Sequence, residues 1–186
     1  MLKLSHQTRK EIIIMKKDLK IGVEIEKKYI ISMPDTKALA EMDGYSYGEI
    51  EQIYLPSSDG STHRVRRRAE QGNVIFTETR KIRIDEMSAT EIEGEITQSR
   101  YLELSTNPKE GTRPIIKTRH KFFYLGQMFE IDVYPEWAST AIMETELATR
   151  DTEVVFPECI KILRDVTGDK RYSNAQMSRE FPKEEK

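Results

Sequence analysis

The feature that most constrains the fold of this chain is an alternation of charged and apolar residues that recurs in short segments. In the stretch VEIEKKYI, Glu24, Glu26 and Lys28 share one parity. Val23 and Ile25 occupy the other parity. Because side chains at positions i and i+2 lie on the same side of a β-strand, this pattern predicts a strand with one charged face and one apolar face.

The alternation recurs along most of the chain, and clusters of Gly, Pro, Ser and Asn mark turns between several segments. Strands are predicted at residues 21–31, 48–55, 61–70, 73–82, 89–96, 113–120, 122–126, 127–134 and 140–148. Short turns between consecutive strands favour antiparallel pairing. The periodicity therefore indicates a mainly β protein of the α+β class, built either as a sandwich or as a closed barrel.

Three helical segments are predicted outside the strands. A short helix follows Pro34, and a second helix spans residues 97–105 behind a possible Thr97 cap. A third segment covers residues 151–166, and Pro157 is expected to break it into two pieces. These helices are candidates to cover part of the apolar sheet face.

One domain is expected to account for most of the 186 residues, because a chain of this length fits a single core. The domain is predicted at residues 19–178. A flexible extension is predicted at residues 1–18, where Met15 is an alternative start, and a flexible tail at residues 179–186.

Like charges are concentrated on the charged parity of several predicted strands. Arg64, Arg66 and Arg68 share one face, and Glu144 shares another with Glu146. For any single strand the simplest interpretation is a solvated face with cross-strand ion pairs. Across the whole set, carboxylate doublets repel each other unless a cation lies between them. The pattern therefore indicates a site for a polyanion and a divalent cation, since arginine binds phosphate oxygens in pairs and Mg²⁺ or Mn²⁺ prefers oxygen ligands.

Composition excludes several other classes. A formal net charge of −2 gives no basic surface for nucleic acid, so a nucleic-acid partner is not expected. The lone cysteine, Cys159, excludes an internal disulfide and is expected to be half-buried, while His6, His63 and His120 are expected at the surface. No apolar run is long enough to span a bilayer, and we expect a soluble, cytoplasmic protein for which a homodimer remains open.

The order of these charged motifs resembles the CYTH domain, whose members are also called triphosphate tunnel metalloenzymes. The resemblance begins with the Glu-x-Glu-x-Lys pattern of VEIEKKYI and covers nearly all of residues 22–177. The further motifs are QIYL at 52–55, HRVRRR at 63–68, TETRK at 77–81, EIEGEI at 91–96, KTRH at 117–120, FEIDVY at 129–134, METEL at 143–147 and GDKRYSN at 168–174. Such a colinear series is far more specific than the first motif alone.

The resemblance implies a fold and a cofactor. It implies an eight-stranded antiparallel barrel that forms a tunnel, with the charged faces inside and a few helices covering the outside. It also implies that Mg²⁺ or Mn²⁺ is the cofactor. The implied metal ligands are Glu24, Glu26, Glu93, Glu144 and Glu146, with Glu91 and Asp132 as less direct matches.

The resemblance further implies which residues bind and process substrate. The phosphate-binding positions match Arg64, Arg66, Lys81, Lys117, Arg119 and Lys170. A lysine–tyrosine pair that helps activate water in some members matches Lys28 and Tyr54, although Lys28 fits equally as a phosphate clamp. Family members often carry an arginine two residues before the middle Glu-x-Glu, where this chain has Ala89. Either one phosphate contact is missing, or a neighbour such as Arg83 supplies it.

Metal-dependent hydrolysis of a small triphosphate is the implied function, with inorganic tripolyphosphate as the favoured substrate. An adenylyl cyclase of the same family, forming cyclic AMP and pyrophosphate, is the first alternative. A thiamine triphosphatase is a narrower alternative, in which Trp137 is the candidate stacking partner. A non-catalytic module that binds polyphosphate or RNA is the alternative from a different class.

Overall fold

The computed structural model describes residues 19–184, in which nine strands and three short helices are formed. The strands are β1 (Lys20–Ser32), β2 (Asp43–Leu55), β3 (Thr62–Glu70), β4 (Asn73–Arg83), β5 (Ser88–Glu95), β6 (Ile115–Tyr124), β7 (Gln127–Val133), β8 (Thr140–Glu146) and β9 (Ile162–Asp165). The helices are α1 (Thr36–Ala40), α2 (Gln98–Ser105) and α3 (Asn174–Met177), and a 3₁₀ turn lies at Lys170–Tyr172. The predicted extension at residues 1–18, which contains His6 and Met15, lies outside the described residues.

Eight of the strands close into a barrel. They pair antiparallel in the order β5-β4-β3-β2-β6-β7-β8-β1, and β1 pairs again with β5. The long strand β1 makes this closure possible, because residues 20–25 pair with β5 while residues 26–32 pair with β8. Strand β9 adds to β1 at residues 29–31. The predicted eight-stranded antiparallel barrel is therefore confirmed, with one additional strand.

Tight hairpins fix the register of neighbouring strands. Two-residue turns join β3 to β4 at Gln71-Gly72 and β6 to β7 at Leu125-Gly126. Both central residues of each turn have positive φ, between 48° and 81°, as a type I′ turn requires. A register slip of one residue would move every charged side chain to the opposite face. The turns therefore help to keep the charged parities of adjacent strands on the same side.

The apolar parity packs on the outside of the barrel beneath short helices and loops. Thr97 caps α2 through its side chain, as predicted, and Tyr101 of this helix packs with Val65 in one buried cluster. Leu39 of α1 joins a larger cluster that includes Phe122. Across residues 19–184, no helix is long and apolar enough to cross a bilayer.

One end of the barrel is closed by an apolar cluster. Tyr134, Trp137, Tyr172 and Met177 are all buried there, and the last two come from the 3₁₀ turn and α3. Buried aromatic side chains of this size dominate the local packing energy. The barrel interior is therefore a cavity with a packed floor at this end.

The predicted helix at residues 151–166 is wrong. This segment is an extended loop that ends in β9. The β-branched pair Val154 and Val155 loses side-chain freedom in a helix, and Pro157 cannot donate a helical hydrogen bond. Instead, Val154 packs with Phe156 against the outer cluster. The loop thus provides the cover that the helix was expected to provide.

Two predicted strands, at residues 113–120 and 122–126, form the single strand β6, since no turn residue separates them. Expectations for several single residues are also wrong. Cys159 is exposed. His63 and His120 are buried, because His63 pairs with Glu78 through Nε2 at 2.8 Å and His120 Nδ1 lies 3.0 Å from a tyrosine hydroxyl.

The described part of the predicted tail at residues 179–186 contacts the barrel. Phe181 packs edge-on against Tyr134 and Trp137, with ring centroids 5.4 Å and 5.1 Å apart. The indole N–H of Trp137 donates a hydrogen bond of 3.1 Å to the carbonyl oxygen of Pro182. These contacts extend the packed floor of the barrel toward the C-terminus.

Truncating the aromatic ring at this position tests the contribution of the tail. We expect Phe181→Ala to lower the free energy of unfolding by about 2 kcal/mol, somewhat less than a fully buried phenylalanine, because the ring is only half-buried. Urea denaturation measures this change. The control is Leu102→Ala, which truncates an apolar side chain that is 56% exposed and should change stability little. Equal stability of the two variants would contradict a packed tail.

Candidate functional site

The charged parity of the strands lines one cavity of about 730 Å³ inside the barrel. The residues that match the family's metal-binding, phosphate-binding and catalytic positions most directly lie on its wall. They are Glu24, Glu26, Lys28, Tyr54, Arg64, Arg66, Lys81, Glu93, Lys117, Arg119, Glu144, Glu146 and Lys170. Their convergence follows from the two-residue period and from the closure of the sheet, which directs one parity of every strand inward.

Lys81 on β4 lies among three carboxylates at one side of the cavity. Its Nζ is 2.8 Å from Glu24 Oε2, 3.6 Å from Glu91 Oε2 and 3.9 Å from Glu26 Oε2. Burial by itself lowers the pKa of Lys81, but the three glutamates outweigh burial and raise that pKa above its ordinary value. Lys81 is therefore a permanent cation, and a single positive charge serves three acidic groups.

The carboxylates around this lysine carry more negative charge than it balances. Burial and a hydrogen bond with Glu91 raise the pKa of Glu24 to about 7, despite the opposing effect of Lys81. Burial and neighbouring carboxylates likewise raise the pKa of Glu146. This side of the cavity is therefore deficient in positive charge.

Two arginines of β3 each hold a glutamate of β5. Arg64 Nη2 lies 2.8 Å from Glu91 Oε1, and Arg66 Nη2 lies 2.9 Å from Glu93 Oε2. Thr79 also donates a hydrogen bond of 2.7 Å to Glu93. Arginine remains protonated in proteins, so both guanidinium groups present fixed positive charge and spare N–H donors to the cavity.

Asp132 anchors two cations of the wall from a buried position outside the lining itself. Its side chain has no exposed surface, and it accepts hydrogen bonds from Lys117 Nζ at 2.5 Å and from Arg119 Nε at 2.6 Å. Burial alone raises the pKa of Asp132, but Arg119 and Lys117 outweigh burial and lower it. Burial and the neighbouring Arg119 lower the pKa of Lys117 to about 8. Asp132, a less direct match to a metal ligand, thus positions cations in this structure.

Lys28 and Tyr54, the implied catalytic pair, both hold their protons at neutral pH. Burial lowers the pKa of Lys28, but Glu144, whose Oε1 is 2.7 Å from Nζ, and Glu26 outweigh burial and raise it. Burial raises the pKa of Tyr54. A general base requires an unprotonated amine, so this geometry favours Lys28 as a phosphate clamp.

Two pairs of glutamates face each other directly across neighbouring strands. Glu130 lies opposite Glu144, and Arg119 bridges them, with Nη2 2.9 Å from Glu144 Oε2 and Nη1 bonded to Glu130. Glu26 lies opposite Glu146. Within residues 19–184, Glu146 forms no ion pair. Directly opposed like charges are destabilising. Lys81 and Lys28 approach Glu26 at 3.9 Å and 4.0 Å, but neither bridges to Glu146 as Arg119 bridges the first pair.

The chemistry of this second pair fits a divalent cation. Its donors are oxygens only, which is the ligand set that Mg²⁺ and Mn²⁺ prefer. In the described part of the chain, however, no three acidic, histidine or cysteine side chains converge as a metal site. Glu24, Glu93 and Glu144 are instead turned toward lysine or arginine partners. Coordination therefore requires carboxylates to rotate away from those partners.

Two cations of the cavity wall that lie outside the strands could not be identified from strand periodicity. Lys109 lies in the loop after α2, and Arg179 follows α3. Neither residue belongs to a strand, so neither carries a parity that assigns it to the interior. Lys170, which the resemblance did identify, lies on the 3₁₀ turn near Arg179.

Neutralising one of the crowded carboxylates tests the excess negative charge. Because the pKa of Glu24 is raised to about 7, the folded protein binds more protons than the unfolded chain between the ordinary pKa and about 7. Stability contributed by this group therefore falls as pH rises through that window. At pH 8 without divalent metal, we expect Glu24→Gln to stabilise the fold by about 1 kcal/mol, after allowance for solvent screening. Chemical denaturation at pH 8 and pH 5 measures the difference, which should shrink at pH 5.

The control for this measurement is Glu49→Gln, which neutralises an exposed glutamate on the outward parity of β2. That variant should show no such pH-dependent gain. A loss of stability in Glu24→Gln at pH 8 would mean that the ion pair with Lys81 outweighs the crowding.

The fold and the cavity have counterparts among known proteins. No protein-family model matches the chain. A curated relative, the inorganic triphosphatase of Acetivibrio thermocellus, is 33% identical over 159 residues, which cover 84% of this chain and 94% of the relative.

Solved structures extend the comparison. The inorganic triphosphatase NE1496 is 25% identical and superposes with a TM-score of 0.53, covering 86% of this chain and 97% of that chain. The PH1819 protein from Pyrococcus horikoshii OT3, at 24% identity and a TM-score of 0.54, covers 69% of this chain and 80% of its own and shares the fold. Given the identity to a triphosphatase along nearly its whole length, we conclude that this chain belongs to the CYTH family of triphosphate tunnel metalloenzymes.

Proposed function

We propose that this protein hydrolyses a small triphosphate with the aid of Mg²⁺ or Mn²⁺, and that inorganic tripolyphosphate is the preferred substrate. The observation that carries the proposal is a cavity inside the barrel whose wall holds arginines and lysines beside carboxylates that lack a bridging cation. The similarity to the Acetivibrio thermocellus inorganic triphosphatase supports the same reaction.

The cations of the wall would bind and orient the phosphate chain. Arg64 and Arg66 lie two residues apart on β3 and project into the cavity, where their planar forks can each hold two phosphate oxygens. Lys81, on the next strand, adds a point charge. Phosphoryl transfer depends mainly on positioning and on neutralising charge, and these residues can provide both.

The carboxylates have a separate task. Glu24, Glu26 and Glu146 would hold the divalent cation, with Glu144 and Glu93 as further ligands after they turn from their present partners. A divalent cation held by these residues would supply charge neutralisation for the phosphate chain and would acidify water. Substrate phosphates would take over the arginine partners that Glu93 now occupies, which frees this carboxylate.

Lys28 would act as a clamp on the transferred phosphate. Its raised pKa keeps the amine charged, and its contact with Glu144 directs Nζ toward the cavity. Tyr54 lies in the same wall, where its hydroxyl accepts a hydrogen bond from the Gln52 amide at 2.5 Å. These two residues would position substrate rather than remove a proton from water.

The alternatives within the family require a pocket for an organic group. Trp137, the candidate stacking partner for thiamine, is 5% exposed, packs in the floor against Tyr134 and Phe181, and does not line the cavity. Among the described residues of the wall, the aromatic rings are Tyr54 and His63, both buried. This lining favours an inorganic chain over adenosine or thiamine triphosphate. A homodimer and a cytoplasmic location remain predictions.

A substrate and variant assay tests the proposed function. We expect metal-dependent phosphate release from tripolyphosphate that exceeds release from ATP, thiamine triphosphate and pyrophosphate. Glu24→Gln should reduce turnover about 100-fold or more, because a charged group that acts on the reaction is lost. Phosphate release and cyclic AMP are measured together with Mg²⁺ and with Mn²⁺.

Glu49→Gln, on the outer face of β2, is the matched control and should retain full activity. A non-catalytic phosphate-binding module would bind anion no worse after Glu24→Gln and would release no phosphate. Cyclic AMP among the products would replace the hydrolase by the cyclase.

A further inference from the structure

We propose that Arg83 is a substrate-binding residue that contacts an outer phosphate of the triphosphate, and that Ala89 is the opposing position that leaves room for it. The inference rests on the proposed function. Arg83 ends β4, lies on the cavity wall two residues beyond Lys81, and shares its inward parity. Two residues of a strand span about 7 Å, so these two cations serve neighbouring sections of an extended anion.

Arg83 is exposed, and its charge is not balanced by a glutamate as the charges of Arg64, Arg66 and Lys81 are. Within residues 19–184, its guanidinium donates to the backbone carbonyl of Glu86 at 2.6 Å and forms no ion pair with a carboxylate. By contrast, Arg64, Arg66 and Lys81 each hold a glutamate within 2.9 Å. An arginine that is oriented but not neutralised is suited to an anionic ligand.

A rigid turn fixes the carbonyl group that orients Arg83. Asp85 accepts hydrogen bonds from the backbone N–H groups of Met87 and Ser88 at 2.9 Å and 3.0 Å. Arg150, from the loop after β8, also bonds to Asp85 and lies 2.9 Å from Ser88 Oγ. The β4–β5 turn is thus tied both to itself and to a second loop. The guanidinium of Arg83 is therefore held at the cavity wall before substrate arrives.

Ala89 lies directly opposite Arg83 in the antiparallel pairing of β4 with β5. The Cβ atoms of directly opposite residues lie about 5 Å apart, so their side chains occupy the same space above the sheet. Alanine leaves that space to the arginine, and both residues line the cavity. An arginine at position 83 of β4 and an arginine at position 89 of β5 would reach the same region of the cavity. This chain has the arginine on β4.

The chemistry predicts discrimination by chain length. An anion of three phosphates can extend from the inner cations to Arg83, whereas pyrophosphate held by the inner cations does not extend as far. If Arg83 merely tied the turn through Glu86, its loss would affect both anions equally and would lower stability instead.

The test is calorimetric titration of tripolyphosphate and of pyrophosphate into the full chain without divalent metal, so that binding is measured independently of turnover. We expect Arg83→Ala to weaken binding of tripolyphosphate about tenfold, as for loss of one charge-assisted hydrogen bond, and that of pyrophosphate less than about twofold. The double variant Arg83→Ala/Ala89→Arg should return tripolyphosphate affinity to within about threefold of the parent. Arg67→Ala, on the outward parity of β3, is the matched control and should bind as the parent does.

Three results would each overturn the inference. They are an unchanged affinity of Arg83→Ala for tripolyphosphate, an equal loss of affinity for both anions, and a double variant that does not regain affinity. The proposed function is tested by a separate result. If the parent protein binds tripolyphosphate through Arg83 but releases no phosphate with either metal, the binding role of Arg83 stands and the hydrolase activity is ruled out. A parent that binds no tripolyphosphate in this titration would overturn the role of Arg83, and a parent that also releases no phosphate with either metal would overturn both.

Discussion

The rest of the structure depends on the pairing of opposite charges across the interior of a closed sheet. Closure turns one parity of every strand inward, and an unpaired charge in such a confined space is costly. Asp132 therefore holds both Lys117 and Arg119, and Arg119 in turn bridges the opposed glutamates Glu130 and Glu144. The predicted site cations that lie on strands are each positioned by a carboxylate from a different strand; they are Lys28, Arg64, Arg66, Lys81, Lys117 and Arg119.

The charged side chains that have no bridging or opposite partner indicate where a metal ion and a phosphate chain would bind. Glu26 and Glu146 face each other without the bridging arginine that the equivalent pair deeper in the wall has, and Arg83 projects without an acidic partner in the described part of the chain. A ligand that brings both a cation and a polyanion would satisfy both deficits together. Proteins commonly retain such local instability where function requires it.

The sequence predicted the strand residues of the cavity wall better than the loop and turn residues at its ends. Periodicity placed eleven of the thirteen predicted site residues on charged strand faces. The family resemblance supplied their roles, the remaining Tyr54 and Lys170, and closure into a barrel. Residues 151–166 were misassigned because their extended state depends on packing of Val154 and Phe156 against distant strands. Lys109 and Arg179 lie outside the strands and carry no periodic signal. The contact between His63 and Glu78 on the next strand likewise cannot be predicted until the register of the two strands is known.

Lys28 and Lys81 are placed in the cavity as charges rather than as bases. A lysine becomes a base only when burial outweighs nearby carboxylates, and at Lys28 and Lys81 the carboxylates prevail. At Lys117, burial outweighs the carboxylates and lowers the pKa. However, Lys117 is only 3% exposed, and its ammonium group donates a hydrogen bond to Asp132. Its role is therefore to stabilise the cavity wall. Because Lys28 and Lys81 stay charged, we expect their contribution to the rate to come from orientation and charge neutralisation, which phosphoryl transfer requires most.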